Sequence, residues 1–297
     1  MKSTRRMFVA GVGSLLLSPL WGEEPAAERP CVRFGLVTDL HYGDMKQAGT
    51  RHYRASRPKL VEAIKVFNAR KVDFVIEMGD FKDLACGKDR KASPEGTKQF
   101  ARDIEATFAT FEGPRYHVLG NHDNDCLNKD EILDIYRSTD IPVGRSYYSF
   151  VKNGVRFLVL DGNFNQKMQP YQGHPLNWDW IDSNIPPVQF DWLKRELADS
   201  KEPVVAFVHQ RLDSKARAHH RIRNGEEVQK LFEASGKVKA VFQGHDHIGG
   251  FAFEHGVNYY TLAAMVEGPK NCYAEVAVYP SGKFAVTGFA RAASRTW

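Results

Sequence analysis

None of the four cysteines (Cys31, Cys86, Cys126 and Cys272) stands in a C-x-x-C pair, which argues against a zinc knuckle and against a dithiol redox motif. One or two disulfides stay open, and spacing does not fix their pairing. Charge of one sign is also scarce. The 297 residues carry a formal +5, and without Lys2, Arg5 and Arg6 the chain is close to neutral, too little to grip a nucleic-acid polymer. Repeats and low-complexity tracts are missing. So is an apolar run of membrane-spanning length: the stretch from Met7 to Trp21 is 15 residues with Pro19 inside it. Apolar residues nevertheless make up 42% of the chain, enough for a sizeable core in one large α/β domain or two small ones.

The first residues, MKSTRRMFVAGVGSLLLSPLWGEEPAAERP, run from a basic start through that apolar stretch into a polar segment bearing Pro and Ala. This layout predicts a signal peptide over residues 1–27, leaving 28–297 as the mature domain. The adjacent Arg5 and Arg6 resemble a twin-arginine export signal, which carries folded proteins and suits one that acquires metal before export. An ordinary secretory signal or a membrane-tethered tail is the alternative. The expectation is an exported protein, periplasmic or extracellular, with no membrane span in the mature chain. Cys31 follows ERP, not the small and aliphatic residues of a lipoprotein signal.

Beyond this segment the pattern alternates. VRFGLVT reads as a buried strand, and SRPKLVEAIKVFNARK as a helix with Leu60, Ala63, Ile64 and Phe67 on one face. VDFVIEM is again a strand, and SPEGTKQFARDIEATFATF a helix started by Ser93 and Pro94. RYHVL, FLVLDG, PVVAFVH and KVKAVFQ continue the strands, with a helix over PVQFDWLKRELADS. Asn153-Gly154 marks a type I′ hairpin, and Asn224 with Glu227 looks like a capping box opening another helix. The fold class is α/β, and in such sheets ligand-binding loops gather at the carboxyl ends of strands.

Five of those strand ends carry metal-ligand chemistry: Asp39 and His41 in TDLH, Asp80 in GDFKD, Asn121 and His122 in GNHD, His209 in FVHQ, and His245 and His247 in GHDH. One such His reads as a structural residue with a hydrogen bond. Five successive ends do not, because unpaired charges are costly to bury beside an apolar core. Alternation along an extended segment sends Asp39 and His41 to one side, and likewise His245 and His247, with Asp246 turned away. A donor set of oxygen and nitrogen without thiolate suits manganese, iron or zinc in five- or six-fold coordination. The candidate ligands are too many for one ion, and two divalent ions sharing a carboxylate fit their number.

As an ordered set, D-x-H, GD, GNHD, a lone His and GHDH resemble the calcineurin-like metallophosphoesterase superfamily over residues 32 to about 250. The resemblance implies a four-layer α/β/β/α sandwich with the dimetal site at the carboxyl ends of the strands. It further implies that Asp39, His41, Asp80 and His247 bind one ion, and Asp80, Asn121, His209 and His245 the other. A metal-bridging hydroxide then attacks phosphorus, and His122, oriented by Asp123, assists the leaving group. Asn124 and Asp125 read as loop-turn residues.

The substrate is less legible. FGLVTDLHYGD, TRHYRAS, RNGEEVQKLFEASGKVKAVFQGHDHIGG and AAMVEGP resemble the manganese-dependent ADP-ribose/CDP-alcohol diphosphatase branch almost to the C-terminus. That branch often has Gln where this chain has His41, which puts its substrate preference in question here. Arg51, Tyr53 and Arg54 follow the first metal loop, where a guanidinium can grip a second phosphate, or else they form a solvated approach to a helix. Residues 162–187 form a long connection without clean period, of a kind that often serves as a lid. Its Tyr171, Trp178 and Trp180 either stack on a base or sugar or pack the loop onto the core. His219, His220 and Arg223 are placed to face the same site. The expectation is a dinuclear-metal hydrolase of a phosphodiester or nucleoside-diphosphate-linked small molecule. A broad phosphomonoesterase and a catalytically silent scaffold on the same fold are the alternatives.

Overall fold

The computed structural model describes residues 28–87, 91–173 and 175–297 together with Met1; apart from Met1, the expected signal segment lies outside the described residues. The chain runs β1 (Val32–Val37), α1 (Ser56–Arg70), β2 (Phe74–Glu77), α2 (Pro94–Phe108), β3 (Arg115–His117), α3 (Lys129–Leu133), β4 (Tyr148–Lys152), β5 (Val155–Val159) and α4 (Pro187–Asp199). It continues with β6 (Val204–Val208), α5 (Gly225–Ser235), β7 (Val238–Gln243), β8 (Gly250–Glu254), β9 (Val257–Thr261), β10 (Cys272–Val278), β11 (Phe284–Ala290) and β12 (Arg295–Thr296). Two six-stranded sheets result, in the orders β12-β11-β10-β1-β2-β3 and β4-β5-β6-β7-β9-β8. The runs β1-β2-β3 and β5-β6-β7-β9 are parallel, so their carboxyl ends point the same way within each sheet.

Three separate apolar clusters show how these elements layer. Between the sheets, Phe34 stacks on Phe74 at 4.9 Å and meets Phe157, Phe207 and Phe242 edge-on at 5.6 to 5.7 Å. On the outer face of the first sheet, Leu60, Ile64 and Phe67 of α1 and Ile104 and Phe108 of α2 cover Val37 and Val75. On that of the second, Phe190, Leu193 and Leu197 of α4 and Val228 and Phe232 of α5 cover Leu158, Val204 and Ala206. Helix, sheet, sheet, helix is the four-layer sandwich. Because one inner and two outer faces must all be apolar, β1 and β6 are buried along almost their whole length.

Local signals explain most element boundaries. Ser93 caps α2 by accepting from the Gly96 N–H at 3.2 Å, with Pro94 at the first helical position. Asn153 and Gly154 both have positive φ, 47° and 79°, as a type I′ hairpin requires. The capping box expected at Asn224 does not form. Its side chain instead accepts from Ile185 N at 2.9 Å and donates to Ile185 O at 2.8 Å, tying the 162–187 connection to the start of α5. A full capping box does occur at Asn128 and Glu131, opening the short α3 that the apolar pattern had not revealed. All four cysteines are free thiols. Among the described residues no helix is long and apolar enough to cross a membrane.

Candidate metal centre

The loops that leave β1, β2, β3, β6 and β7 converge over one edge of the sandwich, and close backbone approach is what brings them together. A Cβ on Gly120 would overlap the backbone nitrogen and a carboxylate oxygen of Asp80, and one on Gly244 would overlap Thr38 Oγ1 and Asp39 Oδ2. Only glycine fits at either place. Gly244→Ala should destabilise the fold by about 1–3 kcal/mol and displace Asp39, a loss readable as a lower denaturation midpoint with weakened metal uptake.

Strand alternation, expected to pair Asp39 with His41 and His245 with His247, is not what pairs them. β1 ends at Val37 and β7 at Gln243, so these residues lie in the loops beyond the strands. Asp39, His41, Asp80 and His245 all adopt left-handed backbone, with φ of 49°, 45°, 55° and 64°. Such values are uncommon for non-glycine residues and cluster where function holds them. The loops aim Asp39 Oδ1, His41 Nε2 and His247 Nε2 at one point: His247 Nε2 is 3.2 Å from His41 Nε2 and 3.4 Å from Asp39 Oδ1. A second group joins Asp80, His209 and His245, with His209 Nε2 at 3.2 Å from both Asp80 Oδ2 and His245 Nδ1. Asp80 Oδ2 is also 3.5 Å from His41 Nε2, so a single oxygen faces both groups.

Each imidazole is fixed by its other nitrogen or by its neighbours. His41 Nδ1 faces Asp83 Oδ2 at 3.2 Å, His247 Nδ1 faces Glu267 Oε1 at 2.7 Å, and His209 Nδ1 donates to Met78 O at 2.8 Å. This sets the tautomer and leaves Nε2 as donor toward a metal. Burial works against ionising Asp39, yet His247 and His209 hold its carboxyl down to about 2. Burial also works against charging His209 and His247, but Asp80 and Asp39 respectively draw their pKa values up to about 10 and about 9. A divalent cation among these carboxylates would take over the attraction that otherwise favours protons.

Divalent metal fits this donor set, as the buried polar atoms without hydrogen-bond partners show. Asp39 Oδ1, Asp80 Oδ2 and both polar atoms of the Asn121 side chain all belong to residues that are at most 1% exposed. Orphaned buried groups cost a kilocalorie or more each, of order 1–3 kcal/mol, and their concentration here points to cations that complete them.

His122 lies beside this centre, its ring 4.8 Å from that of His41 and 5.5 Å from that of Trp178. Asp123, expected to orient it, is engaged elsewhere. Its Oδ2 accepts from Asp80 N at 3.0 Å and Gly120 N at 2.8 Å, and its Oδ1 accepts from Phe81 N at 3.1 Å and Tyr136 OH at 3.0 Å. The carboxylate facing His122 Nδ1 is that of Asp125, at 3.6 Å, so Asp125 is more than a turn residue. Asp125 is itself held by the fully buried Lys82, whose ammonium lies 2.5 Å from Asp125 Oδ1 and also bonds the His122 carbonyl. Burial opposes charging His122, while Asp80, Asp125 and Asp83 raise its pKa above the ordinary value. His117, at the end of β3, lies between Glu77 and Glu105 and belongs to the packing beneath.

A cleft of about 400 Å³ opens over both donor groups, lined in part by His41, Asp80, Asn121, His122, His245 and His247. Of the expected substrate residues, Arg51, Trp178, Trp180 and His220 line it too. Arg51 is brought there by the docking of Thr50 and His52 on residues 266–268, where its Nε lies 3.8 Å from Glu267. Tyr53 and Arg54 are not in the lining. The chain after Arg51 turns into α1, leaving Tyr53 half-buried beside Arg51 and Arg54 at the surface, 2.5 Å from Asp44. Tyr171 is buried and bonds Asp179 O and Asp182 O, so it packs the loop, whereas Trp178 donates to Asn121 O at 2.7 Å and fastens the loop to the metal edge. Arg217 lines the cleft as well, and RLDSKARAHH has no period that would mark it.

Comparison with known proteins gives one picture. A family model described as calcineurin-like phosphoesterase matches residues 32–249. The chain is 30% identical to an Arabidopsis thaliana protein named manganese-dependent ADP-ribose/CDP-alcohol diphosphatase, over 84% of this chain and 90% of that one. It is 26% identical to a protein of the same name from Oryza sativa subsp. japonica, over 86% and 90%. In fold it is similar to a dimetal phosphatase from Danio rerio, with a TM-score of 0.76 and 21% identity over 90% of this chain and 98% of that one.

Proposed function

The chain belongs to the calcineurin-like phosphoesterase family and is a metal-dependent hydrolase of phosphoric esters or anhydrides, and on that premise we propose that it cleaves nucleoside-diphosphate-linked small molecules. The observation that carries this reading is the cleft. It places two indoles and two guanidiniums, Trp178, Trp180, Arg51 and Arg217, over the paired donor groups. Aromatic faces suit a base or sugar, and guanidiniums suit phosphoryl oxygens. The volume is of the size that holds a small organic ligand. The names of the plant relatives support the same class.

Asp39, His41 and His247 would hold one cation, and Asn121, His209 and His245 the other, with Asp80 between. When bound, such ions supply an activated water and offset charge on the phosphoryl oxygens. The chain's own side chains do the rest. His122, set at the cleft wall with Asp125 behind Nδ1, offers a proton to the departing oxygen. Trp178 holds the carbonyl of Asn121 and walls that side against water. Arg51 balances Glu267, which steadies His247.

Metal-stripped protein supplied separately with Mn²⁺, Mg²⁺, Zn²⁺ or Fe²⁺ tests the reading. We expect kcat/KM for ADP-ribose or a CDP-alcohol to exceed that for p-nitrophenyl phosphate by about tenfold or more, equivalent to about 1.4 kcal/mol of extra transition-state binding. A profile led by monoesters would replace this reading with a broad phosphomonoesterase.

A further inference from the structure

The wall of the cleft beside His245 contains a second built constellation. Asp246, between two expected metal ligands, is 2% exposed and carries two guanidiniums: Arg211 Nη1 at 2.9 Å from Oδ2 and Arg217 Nη2 at 3.0 Å from Oδ1. Arg211 is in turn gripped bidentately by Asp213, at 2.9 and 2.7 Å, and Asp213 Oδ2 accepts from Gln243 Nε2 at 3.0 Å, at the end of β7. The clamp is thus buried and anchored in the sheet. Arg217 stands at its outer end, bonded through one nitrogen and more than half exposed along the cleft.

His220 completes the group. It is 8% exposed, its Nδ1 faces Asp246 Oδ2 at 3.6 Å, and its ring lies 5.0 Å from that of His245, with Trp180 packed against both. The ring lines the cleft. A guanidinium tethered to Asp246 through one nitrogen keeps its other N–H groups for an oxyanion in the cleft, and the His220 ring, 5.0 Å from that of His245, stands between that point and the metal-facing groups. Arg211 has no such freedom, because its carboxylate partners already occupy it.

We infer that Arg217, positioned by Asp246 and flanked by the His220 ring, forms a subsite for a second phosphoryl group of the substrate. The inference rests on the reading above, since a monoester has nothing to place there. It gives a use to a carboxylate buried between His245 and His247 that joins neither donor group: one of its two guanidinium partners reaches the cleft.

The test uses the full chain with Mn²⁺ in buffered excess. Orthophosphate and methylenediphosphonate are compared as competitive inhibitors of p-nitrophenyl phosphate hydrolysis, in wild type, Arg217→Gln and Arg217→Lys, beside the KM for ADP-ribose. Wild type should bind the bisphosphonate about tenfold or more tightly than orthophosphate. Arg217→Gln should abolish most of that preference and raise the KM for ADP-ribose with a smaller change in kcat. Arg217→Lys, keeping the charge without the fork, should fall between. The same preference in wild type and Arg217→Gln, or no preference in wild type, overturns the subsite. If wild type shows the preference and Arg217→Gln loses it, but ADP-ribose is not cleaved, the subsite stands and the substrate reading falls.

Discussion

Asp80→Ala is expected to lower kcat by about 10,000-fold or more on every substrate, a loss of some 5 kcal/mol of transition-state stabilisation, consistent with what a metal centre supplies. Asp80 Oδ2 faces both donor groups, 3.5 Å from His41 Nε2 and 3.2 Å from His209 Nε2. Removing it therefore weakens both cation sites, whereas His247→Ala should weaken only the group that contains Asp39 and His41. Metal analysis of dialysed protein separates the two cases, with Asp80→Ala retaining less than one equivalent and His247→Ala about one. Retention of two equivalents by Asp80→Ala, with turnover within tenfold of wild type, would show that the carboxylate does not bridge.

The centre was legible in the sequence because its chemistry is written in residue types. Asp, Asn and His after apolar runs are costly to bury without a cation, and that cost is independent of backbone detail. The backbone detail was not legible. Asp39 and His41 meet because both adopt left-handed φ, and strand alternation reached the same pairing by the wrong route. The helices were visible for a similar reason of scale: Leu60, Ile64 and Phe67 repeat over several turns, while the five-residue α3 has too few turns to show a period. Asn224 was misread since Asn and Glu three apart fit both a capping box and a loop tie, and only Ile185, 39 residues away, decides. Arg217, Glu267 and Asp125 share this limit. Their roles come from Asp246, His247 and Lys82, partners that no local pattern connects to them.

His122→Ala is expected to divide substrates by leaving group. Where the departing oxygen is an alkoxide, losing the proton donor should cost about 100- to 10,000-fold in kcat, but with p-nitrophenolate the loss should stay within about tenfold, since that anion leaves unaided. Asp125→Asn should produce the same division at smaller size, because its carboxylate faces His122 Nδ1 and Lys82 holds it there. Asp123→Asn should behave differently. Its carboxylate oxygens receive the N–H groups of Asp80, Gly120 and Phe81, and an amide would turn a donor against some of them, so stability should fall by about 2 kcal/mol or more, with no dependence on leaving group. A plot of log kcat against leaving-group pKa for the three variants, beside their denaturation midpoints, separates the roles. Steepening in Asp123→Asn with a flat line in Asp125→Asn would return the orienting role to Asp123, and equal losses on alkyl and aryl esters in His122→Ala would remove the histidine from proton transfer.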